Sequence, residues 1–459
     1  MSRKQVVIVG AGFGGLEAAK KLDGSAVDVL LIDRNNFHVF SPLLYQVAAS
    51  QLNPSDIAYP IRKAFRESCN VRFRQAEVTA TDLDARTLTL DGTERLGFDY
   101  LVVAAGARTH FFGNHQVARR AMGLKSLSEA LQLRNHILGC LEKASTLDRK
   151  QQQPWMTFVV VGGGPTGVEY AGALSELMNL VLEKEYPDVY VQPRIVLVEG
   201  ADQVLGMFSP ALGAYTKERL ETLGVEVVLD TFVEDYDGDR VFLSGERAPI
   251  VAKTLVWSAG VRPEKIAAEA DLPNREKSQR ISVDRYCRID GRFDAFAIGD
   301  IASFIDPELG ELPTVSPPAM QQGRYVADFI LSHLPEGAHH EVGGEPRMAP
   351  FQYFDKGSMA TIGRGHAVAS VGNLEMKGVL GWLAWLVVHV WYLVGFRNRL
   401  AVVAGWAVNY LFYDRPVRII ARAKRVHTTG LVDPVSIRGV QLPRSIDSRP
   451  PPSVLESAE

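Results

Sequence analysis

Uninterrupted apolar runs, each followed by glycines and then by a helical pattern, recur along the chain. Val6–Val9 leads into one such turn, and Phe158–Val161 leads into another. Short runs of β-branched residues without polar interruption are typical of parallel strands that are buried on both faces. The pattern therefore predicts two strand-turn-helix units.

The two units are copies of one another. VVIVGAGFGGLEAA begins at Val6 and FVVVGGGPTGVEYA begins at Phe158, an offset of 152 residues. Further strands are predicted at Leu101–Gly106 and Phe296–Ala302, with helices near residues 126–143 and 212–223. The polar run DRKQQQP, residues 148–154, predicts a linker before the second copy.

The first copy carries a complete dinucleotide fingerprint. Gly10-x-Gly12-x-x-Gly15 follows a predicted strand and opens a helix, and Asp33 ends the next strand 18 residues after Gly15. Glycines permit the tight turn and the approach of a pyrophosphate to backbone N–H groups, while the acid accepts from a ribose hydroxyl. We expect a bound dinucleotide here.

The second copy carries the same fingerprint with a longer insertion. Gly162-x-Gly164-x-x-Gly167 is followed by Glu199 after 32 residues, and the added length predicts an extended helix and loop. An acid at this position repels the 2′-phosphate of NADP, so the site is predicted to prefer NAD. Two dinucleotide sites are most simply explained by a bound flavin dinucleotide and an exchanging nicotinamide one.

Length and composition narrow the function classes. The 459 residues are enough for two or three domains, and a net charge of −3 gives no indication of a nucleic-acid partner. Cys69, Cys140 and Cys287 form neither a zinc-site spacing nor a redox pair, so we expect no metal and no disulfide chemistry. The N-terminus has no signal-peptide pattern and is predicted to belong to the fold.

Several motifs together resemble one known family. GAGFGG, HVFSPLLYQVA from His38, GGGPTGVE, TLVWSAGVRP, AIGD, MQQG, DKGSMATIGR and GFRNRL are similar to the type II NADH dehydrogenases, single-subunit NADH:quinone oxidoreductases that do not pump protons. The resemblance extends from Val6 to about Ile420. It implies FAD, NADH as substrate and a membrane quinone as acceptor.

The fold class expected is α/β, with two Rossmann-like dinucleotide-binding domains and a C-terminal helical region that anchors the chain to a membrane. We expect the first FAD-binding part at residues 1–118, an inserted NADH-binding domain at 119–280 and the second FAD-binding part at 281–345. The C-terminal domain is expected at residues 346–432 and a flexible tail at 433–459.

The resemblance also implies roles for individual residues. FAD is expected at Gly10, Gly12, Gly14, Gly15, Asp33, Arg34, Ala105, Gly299, Asp300 and Ala319. NADH is expected at Gly162, Gly164, Gly167, Glu169, Glu199, Ala259 and Gly260. Quinone is expected at Met320, Gln321 and Gln322, although Ser316-Pro317 stands where many relatives have Ala-Gln.

Two titratable residues lie near these motifs. Glu169 is expected in the first turn of the second fingerprint helix, where the macrodipole alone favours an acid, as with Glu17 in the first copy. We predict that Glu169 and Gln321 act in catalysis, with Glu169 as a tuning or proton-supplying group. His38 is expected to fix the backbone.

The C-terminal segment is strongly apolar. Val379–Phe396 reaches the length of a membrane span, but the next apolar run, Leu400–Tyr413, is too short to return, and a single crossing would export the basic tail. We expect two helices lying in one leaflet. The membrane contacts expected are Trp382, Trp385, Trp391, Arg397, Arg399, Trp406 and Arg415.

The expected location is the cytoplasmic face of a bacterial inner membrane, with lipid and quinone as partners, and the resemblance suggests a homodimer. Two alternatives stay open from the residues alone. One is a flavin-dependent reductase of a soluble acceptor or a ferredoxin, and the other is a non-catalytic redox sensor that binds FAD and NADH at the membrane.

Overall fold

A computed structural model describes residues 3–269, 272–273, 278–334, 347–412 and 417–420. These residues belong to a single unit of the chain, Met1–Ile420. The expected tail at 433–459 and the membrane residue Arg415 lie outside the described residues.

The first fingerprint strand is at the centre of a five-stranded parallel sheet. Its order is Ala295–Ala297, Tyr100–Val103, Lys4–Val9, Val27–Asp33 and Val71–Gln75. Val6, Val7 and Ile8 are fully buried, as expected for a strand covered on both faces. On one face lie helices Phe13–Leu22 and Ser316–Ser332, which approach so closely that a Cβ on Gly323 would lie 2.3 Å from Gly14 O.

A second parallel sheet repeats this arrangement. Its order is Met122–Gly123, Thr254–Trp257, Thr157–Val161, Arg194–Val198 and Val225–Val228. The fingerprint strand is again central, and the strand that ends at the acidic residue is again its neighbour. Helices Leu127–Ala144, Pro165–Glu185 and Pro210–Thr222 belong to this half. The expected α/β fold with two Rossmann-like sheets is confirmed.

Smaller elements surround the two sheets. Three of them are three-stranded antiparallel sheets. The first has the strands Val78–Asp82, Thr87–Leu90 and Glu94–Gly97, and the second has Val233–Tyr236, Arg240–Leu243 and Ile250–Val251. The third has Ser358–Thr361, Ala367–Val371 and Leu374–Lys377. Paired strands are Phe37–Val39 with Ala58–Pro60, Ala107–Thr109 with Val261–Pro263, Ile281–Ser282 with Ala302–Ser303, and Ile305–Asp306 with Gly310–Glu311. Short helices are Ser41–Leu43, Leu44–Ala48, Pro54–Ile57, Ile61–Ala64, His115–Arg120, Arg149–Gln152, Gln153–Met156, Ile266–Glu269 and Gly299–Ile301.

The predicted linker before the second copy is wrong. Residues 149–156 form helical turns, and Gln152 is fully buried. Its amide group donates to Leu147 O at 3.0 Å and to Asp188 O at 2.7 Å, and accepts from Tyr190 N. A polar composition does not reveal that one glutamine side chain holds three backbone groups of the segments around it.

The last two described helices are apolar, Gly378–Tyr392 and Phe396–Phe412. They are separated by a turn in which Gly395 has a φ of 89°, a left-handed conformation that favours glycine. Among the described helices, none combines the length and the hydropathy that crossing a membrane requires. Asn398 Nδ2 and Asn409 Nδ2 tie the second helix to Ala58 O and Gln51 O.

Candidate active site

The first fingerprint turn owes its shape to two glycines and its openness to a third. Gly10 has a φ of 104°, and a Cβ there would lie 2.3 Å from Ala104 O. A Cβ on Gly15 would lie 1.8 Å from Gly10 O, so Gly15 lets helix and strand pack together. A Cβ on Gly12 would meet nothing within 4 Å, because it points into open space before the helix N-terminus. The N-terminal N–H groups are therefore accessible to a phosphate.

Asp33 closes this turn. Its carboxylate accepts from Ala11 N at 2.8 Å and from Asn35 N at 2.7 Å. Burial raises the pKa of Asp33, while the two N–H donors act in the opposite direction. The carboxylate therefore lies beside the turn where the ribose of a dinucleotide would reach it.

The second turn has the same construction. Gly162 also has a φ of 104°, a Cβ on Gly167 would lie 1.9 Å from Gly162 O, and a Cβ on Gly164 would meet nothing within 4 Å. The Glu199 carboxylate accepts from Gly163 N and, at 2.8 Å, from Ala201 N. Each turn thus combines a tight glycine bend, an open helix N-terminus and an acid held by two N–H groups.

Ala259 and Gly260 follow the adjacent strand of the second sheet. Ala259 N would lie 2.9 Å from a Cβ on Gly162, so the Ala259 backbone lies directly against the second turn. Gly260 has a φ of 72° and its carbonyl accepts from His110 N. The structure brings both residues next to the second turn, as the resemblance implied.

The first turn lines a cavity of about 650 Å³. This volume is within the range of small-molecule and cofactor sites. Among the residues that line it are ten of those named from the sequence: Gly10, Gly12, Gly14, Asp33, Arg34, Ala105, Glu169, Gly299, Asp300 and Ala319. Gly15 instead lies buried between strand and helix.

Polar pairs line the same cavity. Lys125 Nζ contacts Asp300 Oδ2 at 3.0 Å, and Arg34 forms a two-pronged ion pair with Glu264. Gly299 N donates to Gln322 Oε1 at 2.7 Å, which fixes the turn before Asp300. Lys125 and Glu264 carry no sequence signal, since they come from separate segments that meet only in the folded chain.

Glu169 also faces the cavity, although its position differs from the expected one. It is the fifth residue of helix Pro165–Glu185, beyond the first turn, so the macrodipole explanation does not apply. Thr361 N donates to Glu169 Oε1 at 3.2 Å. Burial raises the pKa of Glu169 to about 8, opposed by Thr361 and the Trp385 side chain. Glu169 is therefore partly protonated near neutral pH.

Glu17, the equivalent residue of the first copy, has a different environment. It forms ion pairs with Lys20 at 3.0 Å and Arg324 at 2.6 Å, and its pKa is lowered because these cations outweigh desolvation. The two copies therefore use one helix position for different purposes, and only Glu169 is set up to exchange a proton near neutral pH.

The two glutamines of the MQQG motif bind backbone groups. Gln321 Nε2 donates to Phe354 O at 2.9 Å and Gln321 Oε1 accepts from Phe354 N at 3.0 Å, so both ends of the amide bind backbone. Gln322 is 2% exposed and holds Gly299. Met320 does not line the cavity. These hydrogen bonds stabilise the turns around the cavity, and the quinone contacts expected of Met320, Gln321 and Gln322 stay a prediction.

Two of the tryptophans expected to contact the membrane, Trp385 and Trp406, are buried. Trp385 is 1% exposed and Trp406 is 7% exposed, with their rings 5.5 Å apart, and Trp382 is only partly exposed. Trp391 is exposed, as are Val379, Leu380, Leu383 and Val387 on helix Gly378–Tyr392. The exposed side chains of this helix are mainly aliphatic, whereas Trp385 packs against the enzyme.

The two arginines of GFRNRL are both exposed. Arg399 donates to Leu393 O and Trp391 O, each at 2.9 Å, so it caps the C-terminus of the preceding helix. A cation at a helix C-terminus is favourable for both its hydrogen bonds and the macrodipole. Arg397 has the exposure that a headgroup contact needs.

Sequence reasoning missed part of the cavity wall. Tyr45, Lys356, Val388, His389 and Tyr392 line it beside Glu169. His389 Nδ1 donates to Trp385 O at 2.8 Å, which leaves Nε2 as the acceptor nitrogen, and burial lowers the pKa of His389 to about 4. Lys356 Nζ donates to Tyr392 OH at 2.8 Å. In the sequence, the only sign of this part of the cavity wall is that His389 and Tyr392 are polar residues within an apolar run.

His38 acts on the backbone, as expected. Its Nδ1 donates to Ala11 O at 2.9 Å, and the ring packs edge-on against Phe13. Burial lowers the pKa of His38 to about 4, so the ring is neutral and holds the first fingerprint turn in place.

Comparisons with known proteins agree with this geometry. Residues 4–323 match the pyridine nucleotide-disulphide oxidoreductase family and residues 356–413 match the NDH2 C-terminal domain. The first match spans both fingerprint turns, so the chain belongs to the class of pyridine nucleotide-disulphide oxidoreductases.

Particular relatives narrow the class. The type II NADH:quinone oxidoreductase NdhA of Mycobacterium tuberculosis is 40% identical, covering 89% of this chain and 87% of that protein. Ndh of the same organism is 38% identical, covering 89% and 88%. The fold is similar to that of NDH2 from Plasmodium falciparum in complex with NADH, with a TM-score of 0.83, 21% identity and coverage of 91% and 100%. The chain belongs to the type II NADH:quinone oxidoreductase family, as its motifs predicted.

Proposed function

We propose that this chain oxidises NADH and transfers the electron pair, through FAD, to a quinone without pumping protons. The overall reaction balances as NADH + H⁺ + quinone giving NAD⁺ and quinol. The observation that carries the proposal is the set of residues that line one cavity. The first fingerprint turn, Glu169 on the second fingerprint helix, and His389 and Tyr392 on an apolar helix all contribute to its wall.

FAD fits the first turn and the cavity that extends from it. Gly12 leaves room for the pyrophosphate, Asp33 is positioned for the ribose, and Gly299-Asp300 follows the strand beside Ala105. Gly10 and Gly15 shape this turn, while Gly14, Arg34 and Ala319 complete the binding wall. Bound flavin supplies the two-electron chemistry between a hydride donor and a quinone.

NADH is proposed to bind at the second turn. Gly162, Gly164 and Gly167 form the bend, Glu199 accepts from the adenosine ribose, and Ala259-Gly260 borders the nicotinamide end. Glu199 would repel a 2′-phosphate, so NADH is favoured over NADPH. Glu169 is on helix Pro165–Glu185, which begins at this turn. This helix would therefore contact both the NADH site and the quinone site.

Glu169 is proposed to supply or accept a proton when the quinone is reduced. It is a cavity-wall group whose pKa near 8 leaves both protonation states populated at working pH. The head of the quinone would lie between Glu169 and the side chains of His389, Tyr392 and Lys356. The hydrogen-bonded pair Lys356–Tyr392 offers a second polar contact for a quinone oxygen.

The outward aliphatic face of helix Gly378–Tyr392 is proposed to bind lipid. Leu380 is 70% exposed and Val387 is 68% exposed, which is unusual for large apolar side chains on one helix face. With Trp391, Arg397 and Arg399 at the end of this face, the helix would lie in the cytoplasmic leaflet, and quinone would enter the cavity from the lipid. Assembly as a homodimer is part of the same proposal.

The sequence boundaries remain our proposal for the domains: 1–118 and 281–345 for FAD, 119–280 for NADH, and 346–432 for the membrane region. The pairing of Ala295–Ala297 with Tyr100–Val103 supports the two-part FAD domain.

The proposed function is tested by measuring NADH oxidation with a short-chain quinone, with a ferredoxin as competing acceptor and with NADPH as competing donor. We expect sustained turnover with NADH and quinone. Faster turnover with a ferredoxin would favour a soluble-acceptor reductase, and a single turnover without further quinone reduction would favour a redox sensor.

A further inference from the structure

An exposed phenylalanine lies beside the acid of the second fingerprint turn. Phe232 is 65% exposed, yet its backbone is fixed on both sides. Phe232 N donates to Ser244 Oγ at 2.9 Å, and Ser244 N donates to Phe232 O at 2.9 Å. The preceding residue, Thr231, donates its N–H to the backbone oxygen of Glu199 at 3.0 Å. The segment that carries the ring is therefore attached directly to the residue that is proposed to bind the adenosine ribose.

The ring of Phe232 covers the glycine that follows Glu199. A Cβ on Gly200 would lie 2.3 Å from Phe232 Cε1, 2.8 Å from Cζ and 2.9 Å from Cδ1. Three bonded ring atoms are all this close only when that Cβ position lies over the face of the ring rather than beyond its edge. One face of the ring thus rests on the Gly200 backbone, and the high exposure of the side chain leaves the opposite face open.

Gly200 is not required by the shape of the chain. Its φ is not positive, so another residue could adopt the same backbone conformation. The equivalent position of the first half, the residue after Asp33, is Arg34. What a side chain at position 200 would disturb is the ring of Phe232, and the glycine is therefore explained by the room that the ring needs.

The first half of the chain shows what the position of Phe232 faces. In both sheets the strand that ends at the acid pairs with one further strand, Val71–Gln75 in the first sheet and Val225–Val228 in the second. Residues 76–79, directly after the first of these strands, line the cavity that is proposed to bind FAD. Phe232 comes four residues after the second of these strands. It therefore lies at the carboxyl edge of its sheet, where parallel sheets bind dinucleotides.

We propose that Phe232 is the platform on which the adenine ring of NADH stacks, and that Gly200 is a positioning residue that leaves room for this platform. A flat aromatic base matches an open aromatic face. Glu199 accepts from the ribose and the open helix N-terminus binds the pyrophosphate, so stacking at Phe232 holds the remaining part of the adenosine half. This inference rests on the proposed function and deepens it by naming the contact that recognises the base.

The test measures binding of ADP-ribose to the flavin-loaded protein by calorimetry. ADP-ribose has the adenosine half of NADH and lacks the nicotinamide, and bound flavin fills the first site, so the probe reports on the second. The variants are Phe232→Ala, Phe232→Tyr and Gly200→Ala. Phe354→Ala removes another phenylalanine, 71% exposed, and is the matched control. Bound-flavin absorbance and thermal unfolding verify that each variant is folded.

We expect the affinity for ADP-ribose to fall about tenfold in Phe232→Ala, which corresponds to about 1.4 kcal/mol and is of the size found for stacking of a base on an aromatic side chain. Phe232→Tyr keeps the ring and should bind nearly as the unaltered protein does. Gly200→Ala should weaken binding because its Cβ displaces the ring. The double variant should bind no more weakly than Phe232→Ala alone, since the glycine acts through the ring.

Turnover gives a second readout that a merely structural role would not move. In Phe232→Ala, KM for NADH should rise by a similar factor while kcat stays unchanged, because the adenine lies away from the reacting atoms. Oxidation of reduced nicotinamide mononucleotide, which has no adenine, should be the same in Phe232→Ala and in the unaltered protein.

An affinity for ADP-ribose that is unchanged in Phe232→Ala, or that falls equally in Phe354→Ala, would overturn the inference. Failure of the unaltered protein to bind ADP-ribose would overturn it as well, and additive losses in the double variant would contradict the role of Gly200. If ADP-ribose binding follows the expected order but NADH does not reduce quinone, the proposed function fails and the adenine platform stands. If NADH reduces quinone while all variants bind ADP-ribose equally, the proposed function stands and the adenine platform fails.

Discussion

Asp33 and Glu199 occupy equivalent places in the two halves of the chain. Each carboxylate accepts from the N–H of the residue that follows the first fingerprint glycine, which is Ala11 or Gly163. Each also accepts from the N–H of the residue two positions after the acid itself, which is Asn35 or Ala201. The two acids are thus held by the same contacts beside two different turns. The following variants separate the two sites.

Glu199→Gln should relax the choice of nucleotide. Removing the negative charge removes the repulsion of a 2′-phosphate, while the amide oxygen can still accept from one N–H. We expect KM for NADPH to fall about tenfold, which corresponds to about 1.4 kcal/mol of binding free energy gained when the repulsion is removed. KM for NADH should rise by a smaller factor. Steady-state kinetics with both nucleotides measures this. An unchanged NADPH/NADH ratio would contradict the assignment of Glu199.

Gly12→Ala and Gly164→Ala form a matched pair. Neither added Cβ meets a protein atom within 4 Å, so both variants should fold. Each methyl group would instead occupy the pyrophosphate position of its own turn. We expect Gly12→Ala to lose bound flavin and Gly164→Ala to keep its flavin but to raise KM for NADH. The reverse pattern would mean that the two dinucleotides are exchanged between the turns.

Gly15→Ala should act on stability rather than on ligand space. Its Cβ would lie 1.8 Å from Gly10 O, which forces the helix away from the strand. A loss of a few kcal/mol in the free energy of unfolding is expected, at the upper end for single substitutions. Urea unfolding measures it, and a stability equal to that of Gly12→Ala would contradict the packing argument.

Glu169 should make stability depend on pH. The folded pKa of Glu169, about 8, lies above the ordinary glutamate pKa of 4.5, so the folded state binds more protons between these two values. The free energy of unfolding therefore falls as the pH rises through this window, by an amount on the order of a few kcal/mol. His38 and His389, with pKa values lowered to about 4, act below pH 6.5 in the opposite direction.

The contribution of Glu169 is isolated by comparing the protein with Glu169→Gln at each pH in urea. The difference in unfolding free energy between the two proteins should change between pH 5 and 8 and stay constant below about pH 4. A constant difference across the range would show that Glu169 titrates normally in the folded state.

The outward face of helix Gly378–Tyr392 should govern lipid binding. A triple variant, Leu380→Gln, Leu383→Gln and Val387→Gln, removes three large exposed apolar groups. We expect partition onto anionic vesicles to drop at least roughly 1,000-fold, since each of the three buried aliphatic side chains contributes about 1.5–3 kcal/mol and about 1.4 kcal/mol corresponds to a factor of ten. Ile305→Gln with Leu309→Gln, two exposed apolar residues of another region, is the control. Equal losses in both variants would argue against this face.

The sequence predicted the parts of the fold that depend on short-range patterns. The two fingerprint turns, Asp33, Glu199 and the buried parallel strands follow from glycine geometry and from apolar runs. The predictions that the structure did not support depend on which face of a helix or strand packs against the rest of the fold. Trp385 and Trp406 lie on two successive apolar helices, but only the folded chain shows that both are buried and that Gln46 Oε1 accepts the Trp406 N–H.

Amide side chains illustrate the same limit. Gln152, Gln321 and Gln322 each bind backbone of a distant segment. From sequence they resemble linker or ligand-contacting residues, because a polar side chain gives no sign of its partner. The wall formed by Lys356, His389 and Tyr392 is assembled from two such distant segments and could not be predicted by spacing.

The central claim is that an electron pair passes from NADH through a bound flavin to quinone in one chain. The most direct measurement is double-mixing stopped flow, in which flavin absorbance is followed after NADH is added and again after a short-chain quinone is added. We predict bleaching with NADH and rapid recovery with quinone under anaerobic conditions, with stoichiometric quinol formed. Flavin that stays bleached after quinone is added would contradict the account.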